Sequence, residues 1–218
     1  AQMHGQTVRG RPCGSFGLAS TFSFYANKHI TTGEGGMIVT DDPSFAERCR
    51  SLRNLCFGEG RRFIHQSLGW NYRLGNLQAA LGLAQLEELD GVIARKRALG
   101  AAYREHLAEI SQLELPKDST PWAENIYWVF GLLYRRSSGG VTAGLLQKSL
   151  NSKGIGTRPF FWPMHFQPVF TRQGMFRGER YPVSEDLARN GFYLPSGVAT
   201  KIEDVPHIAD VLAAEIYR

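Results

Sequence analysis

The first quarter of the chain alternates apolar and polar residues in a way that predicts two strands, a loop and a helix. "ASTFSF" alternates small or polar residues with phenylalanine, and "MIVTDD" supplies a second apolar run. Between them, "YANKHITTGEGG" has the glycines and threonines that are typical of a connecting loop. The next segment, "DPSFAERCRSLRNL", predicts a helix with Asp42 as its N-cap and Pro43 in its first position.

The middle of the chain changes from an irregular to a helical pattern. Residues 56–75 have no sustained period and several glycines, which predicts a long loop with a functional role. In "NLQAALGLAQLEELDGVIARKRALGAAYREHLAEI", apolar residues recur at helical spacing. We expect one long helix or two abutting helices, with bends at Gly91 and Gly100. "ELPKDSTPWAEN" then predicts a seam that divides the chain into domains 1–112 and 113–218.

The last part of the chain predicts a small α/β domain. "IYWVFGLLY" reads as an apolar strand, and "TAGLLQKSLNSKG" as a helix from its N-cap Thr142 to a stop at Gly154. "SEDLARNG" predicts a short helix capped by Ser184, "FYLPSG" a strand, and "VPHIADVLAAEI" a closing helix. This order of strands and helices indicates helices packed on one sheet.

The composition is that of an ordinary globular protein. Of the 218 residues, 43% are hydrophobic and 21% are charged, and no apolar run approaches the roughly 20 residues that span a bilayer. The three cysteines are widely spaced without a C-x-x-C pair, which indicates reduced thiols and no zinc site. The first residues lack the basic and apolar regions of a signal peptide. We expect a cytoplasmic protein without a metal or a membrane partner.

The positive charge of the chain is compatible with phosphorylated ligands or nucleic acid. The net charge is +5 and the isoelectric point is about 9.2. However, the basic residues are scattered, and the densest runs, "RRF" at 61, "ARKR" at 94 and "YRR" at 134, are short. We therefore expect a solvated basic surface, and nucleic-acid binding is the less favoured alternative.

Lys28 stands out within the first predicted loop. A lysine that follows a strand is usually solvated, and this remains the alternative interpretation. A lysine amine is nucleophilic only when it is neutral, and desolvation favours the neutral form. The glycines after Lys28 permit close approach of the backbone to a ligand, and Ser23 offers a hydroxyl for a phosphate oxygen. Together these residues predict a site for imine chemistry on a phosphorylated ligand.

Two long motifs carry a family resemblance. "FSFYANKHITTGEGGMIVTDD", followed by "LGWNYRLGNLQAALGLAQLEELD", closely resembles the DegT/DnrJ/EryC1/StrS family of sugar aminotransferases. The later "RPFFWPMH" is similar to the GDP-perosamine synthase branch of that family. The resemblance implies the α/β fold of PLP-dependent transferases of fold type I and the cofactor pyridoxal 5'-phosphate (PLP). Residues 1–112 would then end the large PLP-binding domain, and 113–218 would form the small domain.

The resemblance also implies four cofactor-binding residues. Lys28 matches the lysine that bonds covalently to PLP and carries a proton during transfer. Ser23 matches a phosphate-binding hydroxyl, and Gln2 matches the glutamine of a D-x-x-Q motif near the phenolic oxygen of PLP. Asn71 matches an asparagine that reaches the cofactor phosphate of the other subunit, which implies a homodimer with shared active sites. Since lysine and not histidine occupies position 28, the motif favours transamination over removal of a hydroxyl.

The substrate residues rest on the same resemblance. Arg73 is a candidate for binding an anionic substrate, and Arg158 and His165 are candidates for the pocket of the nucleotide sugar or the amino donor. A buried core histidine is the alternative for His165. The implied reaction moves an amine from glutamate to a nucleotide-linked 4-keto-6-deoxy sugar, best matched by GDP-4-keto-6-deoxymannose, in surface polysaccharide synthesis. UDP- and dTDP-linked sugars remain open.

The start of the chain departs from the family pattern. The Asp of the D-x-x-Q motif would fall before Ala1, and so would the family's earlier strands. We therefore expect an N-terminally truncated C-terminal portion of an enzyme, with little or no activity alone. A relative that binds PLP or a nucleotide sugar without catalysis is the alternative function.

Overall fold

The computed structural model describes residues 1–58, 63–135 and 141–218. The strands are β1 (Thr7–Val8), β2 (Arg11–Pro12), β3 (Ser20–Ser23), β4 (Gly36–Val39), β5 (Leu113–Glu114), β6 (Ser119–Thr120), β7 (Ala123–Glu124), β8 (Phe130–Tyr134), β9 (Arg158–Pro159) and β10 (Gly191–Leu194). The helices are α1 (Pro43–Arg53), α2 (Asn76–Glu87), α3 (Leu89–Leu107), α4 (Ala143–Ser152), α5 (Pro168–Thr171), α6 (Pro182–Asn190) and α7 (Val205–Ile216), and short 3-10 helices span Met164–Phe166 and Ile202–Asp204.

The chain divides into two compact units. The first unit comprises residues 1–94 and 119–128, and the second comprises 95–118 and 129–218. The boundary between the units lies inside α3, and residues 119–128 belong to the first unit. The sequence analysis instead placed a single boundary after residue 112. The assignment of the units to the large and small domains of the family stays a prediction.

The first unit contains the predicted strand, loop, strand and helix. Strands β3 and β4 form an antiparallel hairpin in which Ser23 pairs with Gly36. The N-cap prediction for α1 is confirmed, because an Asp42 carboxylate oxygen accepts a hydrogen bond of 3.0 Å from the backbone N–H of Phe45. Pro43 occupies the first helical position, where no N–H is needed.

The predicted long helix is two helices that meet at Glu88. The N–H of Glu88 bonds to the carbonyl of Gln85, which closes α2. Gly91 and Gly100, where bends were expected, both lie inside the single helix α3, and the bends stay a prediction. Helix α2 buries none of its side chains, so its apolar face remains exposed.

The second unit is built on an antiparallel sheet with the strand order β5-β8-β10-β9. Phe192 of β10 pairs with Leu132 of β8, and both side chains are buried. Helices α4 and α7 pack against each other and contribute the buried residues Leu150 and Leu212. The alternation of strands and helices thus forms an α/β unit with its own apolar core.

Two local predictions in the second half of the chain are wrong. The strand expected from Ile126 starts only at Phe130, because Tyr127 has a φ of 45° and interrupts the extended backbone. Ser184 does not cap α6, which begins earlier, at Pro182 after Tyr181. By contrast, the Thr142 hydroxyl does cap α4, accepting a hydrogen bond from the N–H of Leu145.

Three further features bear on function. In the described part of the chain, no helix is long and apolar enough to cross a membrane. The same residues contain no group of His, Cys, Asp and Glu that could hold a metal ion. The three cysteines are free thiols. The basic runs of the sequence include Arg61, Arg62 and Arg136, which lie outside the described residues.

Candidate active site

Lys28 lies in the loop between β3 and β4, which is closed by backbone hydrogen bonds. The N–H of Phe24 bonds to the carbonyl of Gly35 at 2.8 Å, and the N–H of Thr32 bonds to the carbonyl of Phe24 at 2.9 Å. Gly35 has a φ of 145°, and a Cβ there would lie 2.6 Å from the Thr32 hydroxyl. Only glycine therefore allows the loop to close in this form.

A side chain of α2 fixes the far end of the same loop. The Gln85 amide nitrogen donates to the Thr31 carbonyl at 2.7 Å, and the Gln85 amide oxygen accepts from the Thr31 N–H at 3.1 Å. The Gln85 amide thus pairs with both the N–H and the C=O of Thr31, as the backbone of a neighbouring strand would. Gln85 thus connects the helix that follows the long loop to the loop that carries Lys28.

The Lys28 amine rests on an aromatic ring. Lys28 Nζ lies 4.2 Å from the centroid of the Trp128 ring, within the range of a cation–π contact. The Trp128 indole N–H donates to the Asn27 carbonyl at 2.8 Å. Partial burial lowers the pKa of the Lys28 amine, because removal of water disfavours the ammonium form.

Two buried histidines pack beside the hairpin. His29 Nε2 lies 3.2 Å from the Ile126 carbonyl oxygen. The ring centroid of His4 lies 6.1 Å from that of His29. Burial, followed by the electrostatic effect of His29, lowers the pKa of His4 to about 4. An interaction with the Ser23 backbone acts to raise the pKa of His4, although neither ring nitrogen of His4 makes a full hydrogen bond. His4 is therefore neutral at pH 7.

Two of the other three predicted cofactor residues, Ser23 and Gln2, lie on or beside β3. Ser23 is the last residue of β3, and its hydroxyl accepts a hydrogen bond of 3.3 Å from the Tyr25 N–H. Gln2 is half-buried and lies between Ala1, whose amine is 3.4 Å from the Thr21 carbonyl, and the buried His4. Ser23 and Lys28 thus share one hairpin, and Gln2 belongs to the segment packed beside it.

Asn71 and Arg73 form an exposed pair. Arg73 Nε donates to the Asn71 amide oxygen at 2.9 Å. Their segment is anchored to the end of α1 by a bridge between Asn54 and Asn71. Trp70 and Tyr72 alternate with this pair, and their rings stack with centroids 6.2 Å apart. The segment therefore presents both polar and aromatic side chains to solvent.

Arg158 and His165 lie in the second unit. Arg158 is exposed on β9, where it pairs with Tyr193. His165 is buried, and its Nε2 lies 3.3 Å from a carboxylate oxygen of Glu185. The ring of Phe166 packs against the imidazole of His165, with ring centroids 4.1 Å apart. These contacts correspond to the core-histidine alternative, and a role for either residue in a substrate pocket stays a prediction.

Glu185 is the centre of the network that holds His165. Arg180 donates two hydrogen bonds of 2.9 Å to the Glu185 carboxylate, and the Tyr181 N–H and the Arg189 guanidinium add one each. The hydrogen bonds from Arg180 lower the pKa of Glu185 to about 2, although burial acts in the opposite direction. This buried carboxylate is thus paired and structural.

Three residues around the Lys28 loop were missed by the sequence analysis. Trp128 was read as part of the apolar strand "IYWVFGLLY", because nothing local connects it with a lysine 100 positions earlier. Gln85 did carry a signal, since it is the polar residue in the apolar run "ALGLAQL" of an exposed helix. His4 carried none, because a single histidine near a chain end has no periodic pattern around it.

Comparison with known proteins identifies the family. Residues 1–213 match the DegT/DnrJ/EryC1/StrS aminotransferase family, and the chain belongs to it. GDP-perosamine synthase of Escherichia coli O157:H7 is 36% identical over 210 residues, which are 96% of this chain and 55% of that protein. The chain thus spans about half the length of the curated relatives it matches.

Solved structures agree with this assignment. DesI, determined in the presence of its TDP-sugar product, is 32% identical and has a TM-score of 0.84, with 100% of this chain and 55% of DesI covered. PseC of Helicobacter pylori, an aminotransferase of pseudoaminic acid biosynthesis, has a TM-score of 0.90 at 24% identity, over 100% of this chain and 58% of PseC. The predicted family and fold are confirmed, and a PLP form is known among the solved structures of this fold.

Proposed function

We propose that the full-length protein is a PLP-dependent aminotransferase that aminates a nucleotide-linked 4-keto-6-deoxy sugar with glutamate as the amine donor. One observation carries the proposal: a lysine with a lowered pKa lies in a glycine-shaped loop, on a hairpin that ends in a serine hydroxyl. An amine that reacts with an aldehyde has to be neutral for part of the time, and the surroundings of Lys28 favour that state.

The residues of this hairpin fit PLP in their chemistry. Lys28 supplies the amine for a covalent bond, and the Ser23 hydroxyl supplies a hydrogen bond for the phosphate. Gln2 would lie by the phenolic oxygen, and Asn71 would bind the phosphate in a partner subunit. When bound, PLP supplies an electron sink that lets an amine pass between an amino acid and a ketone.

The chain's own contribution to the chemistry is proton transfer at Lys28 Nζ. A lysine amine in its neutral form can accept a proton from one carbon and return it to another, as a general base and then a general acid. His4 is neutral at pH 7, so it adds no positive charge beside the amine. Partial burial limits access of water to Nζ, which reduces loss of the proton to solvent.

The GDP-linked sugar is the preferred substrate. The matched region is 36% identical to GDP-perosamine synthase of Escherichia coli, which corresponds to the resemblance of "RPFFWPMH" to that branch. The likeness to DesI, whose product is a TDP sugar, makes a dTDP-linked substrate the second candidate. Arg73, Arg158 and His165 are the residues we propose for contacts with the anionic substrates.

A homodimer with shared active sites is part of the proposal. Asn71 is exposed, and within one chain its amide contacts Arg73. Helix α2, which follows, exposes Leu77, Leu81, Leu83 and Leu86. Contiguous exposed apolar side chains mark a surface for another protein. A second subunit against α2 would bring Asn71 near the neighbouring cofactor.

The test uses the purified full-length protein with PLP and glutamate. An aminotransferase converts the cofactor to its amine form, which changes the visible absorbance, and then aminates the added keto sugar. We expect GDP-4-keto-6-deoxymannose to be aminated faster than its dTDP counterpart, with the product identified by mass spectrometry. Cofactor binding without any reaction with glutamate would instead support the non-catalytic alternative.

A further inference from the structure

Residues 119–128 return to the Lys28 loop from a distant part of the sequence. The Trp122 carbonyl accepts a hydrogen bond of 2.7 Å from the Arg9 N–H. Further along, the Ile126 carbonyl lies 3.2 Å from His29 Nε2. Two contacts therefore attach this segment to residues 1–94 of the first unit, and its last residue lies at a defined position.

That last residue is Trp128, which makes two separate contacts with the turn that carries the catalytic lysine. The indole N–H bonds to the Asn27 carbonyl, and the ring face lies under Lys28 Nζ. The turn itself is closed by the hydrogen bond of 3.0 Å from the Lys28 N–H to the Tyr25 carbonyl. Both the ring and the backbone beneath the lysine are thus fixed.

We propose that Trp128 is a positioning residue for Lys28, whose ring face holds the side-chain amine in one place whenever that amine is not bonded to the cofactor. Lysine has a long, flexible side chain, so an unheld amine would sample many positions. The negative face of an aromatic ring attracts the ammonium group, so the Trp128 ring favours the position of Nζ above it. This inference rests on the proposed role of Lys28 in proton transfer.

The ring face and the bulk of Trp128 have opposite effects on the lysine. The bulk excludes water and so favours the neutral amine, whereas the π face favours the ammonium form. Among the titratable groups beside the hairpin, His4 is neutral at pH 7, and His29 and the Ala1 amine act on His4 electrostatically. Trp128→Leu removes the π face but keeps apolar bulk, and Trp128→Phe keeps both.

The first experiment measures the Lys28 amine without cofactor. Full-length apoprotein is labelled with acetic anhydride over a range of pH, and the peptide that carries Lys28 is quantified by mass spectrometry. We expect the labelling midpoint of Trp128→Leu to lie about half a pH unit below those of Trp128→Phe and the parent protein. Trp122→Leu is the matched control on the same segment, and its midpoint should equal that of the parent.

The second experiment measures the reaction of the holoenzyme with glutamate. We expect Trp128→Leu to lower kcat about tenfold with little change in KM, because a mobile amine transfers protons less often. Trp128→Phe should restore most of the rate. If the Phe and Leu variants behave alike in both experiments, the π face has no positioning role and the proposal is wrong.

Failure of this inference can be told apart from failure of the proposed function. Borohydride reduction of the parent holoenzyme shows by peptide mapping whether PLP is attached to Lys28. Attachment elsewhere overturns the proposed function and the inference that rests on it. Attachment to Lys28 together with an unchanged labelling midpoint and kcat in Trp128→Leu overturns the inference alone.

Discussion

The two units of the chain differ in what they bury. The second unit has an apolar core in which Phe130, Leu150 and Phe192 are fully enclosed. In the first unit, α1 and α2 bury no side chain, and polar groups such as His4 and His29 are among the buried residues. The unit that carries Lys28 therefore has a smaller apolar core than the second unit.

This difference teaches how stability and chemistry are distributed along the chain. Burial of apolar side chains is the main favourable term in folding, so the second unit should supply more of the stability. In the first unit, hydrogen bonds and glycine conformations hold the loop that carries Lys28. We expect substitutions in the two units to affect different measurements.

The largest effect is expected at Lys28. Lys28→Ala removes the amine, so covalent attachment of PLP and turnover should fall to background in the full-length protein. The free energy of unfolding should change by no more than about 1 kcal/mol, since the side chain is only partly buried. Lys148→Ala, an exposed lysine of the second unit, is the control and should keep full activity. Retained turnover in Lys28→Ala would contradict the assignment.

Mixing of two inactive variants tests whether the first unit is completed by a partner. Equal amounts of Lys28→Ala and Asn71→Ala protein should regain about a quarter of the parent's active sites after subunit exchange, because half of the dimers are mixed and each holds one intact site. Turnover is measured before and after exchange. If activity stays absent although mixed dimers form, Asn71 does not act across the interface.

A core substitution in the second unit should lower stability more than an exposed one on the same helix. Leu150→Ala leaves a cavity in the core and should cost about 2–5 kcal/mol in the free energy of unfolding. Leu145→Ala, on the exposed face of α4, should cost less than about 1 kcal/mol. Urea unfolding of both variants measures the difference. Equal losses would mean that the core of the second unit is not the main source of stability.

A glycine substitution probes the loop of the first unit. Gly35→Ala should destabilise the protein by about 1–3 kcal/mol, because alanine strains a φ of 145° and its Cβ would meet the Thr32 hydroxyl. The same change at Gly144, in α4 with open space around it, should be neutral or stabilising. Thermal unfolding compares the two. A tolerated Gly35→Ala would show that the loop closes in another way.

Acid provides a separate test of the second unit, at Glu185. The folded-state pKa of Glu185 is lowered from 4.5 to about 2, so its contribution to stability is complete above pH 4.5 and is lost as the pH falls from 4.5 to 2. Glu185→Gln should weaken the pH dependence in this window, as followed by urea unfolding at several pH values. A dependence equal to that of the parent would assign the acid sensitivity to other carboxylates.

Local signals predicted much of the fold. The N-caps Asp42 and Thr142 were read from short-range patterns, because a side-chain oxygen bonds an N–H only three residues away. Two abutting helices were among the predictions, but the position of their break at Glu88 was not, and neither was the late start of β8 at Phe130. The first has no glycine or proline to mark it, and the second depends on the left-handed conformation of Tyr127 within an apolar run.

The sequence by itself determined the family, and it singled out Lys28 and Ser23 as the proposed site residues, because these lie in contiguous motifs whose residues act at short separation. Tertiary structure alone decided which groups surround the lysine. Trp128, Gln85 and His4 reach the loop through folding of distant segments. No local pattern identifies the contacts of Trp128 and His4, and the polar Gln85 in an apolar run does not identify its partner. Burial of His165 beside Glu185 was settled in the same way, since the exposure of a side chain depends on what the rest of the chain packs against it.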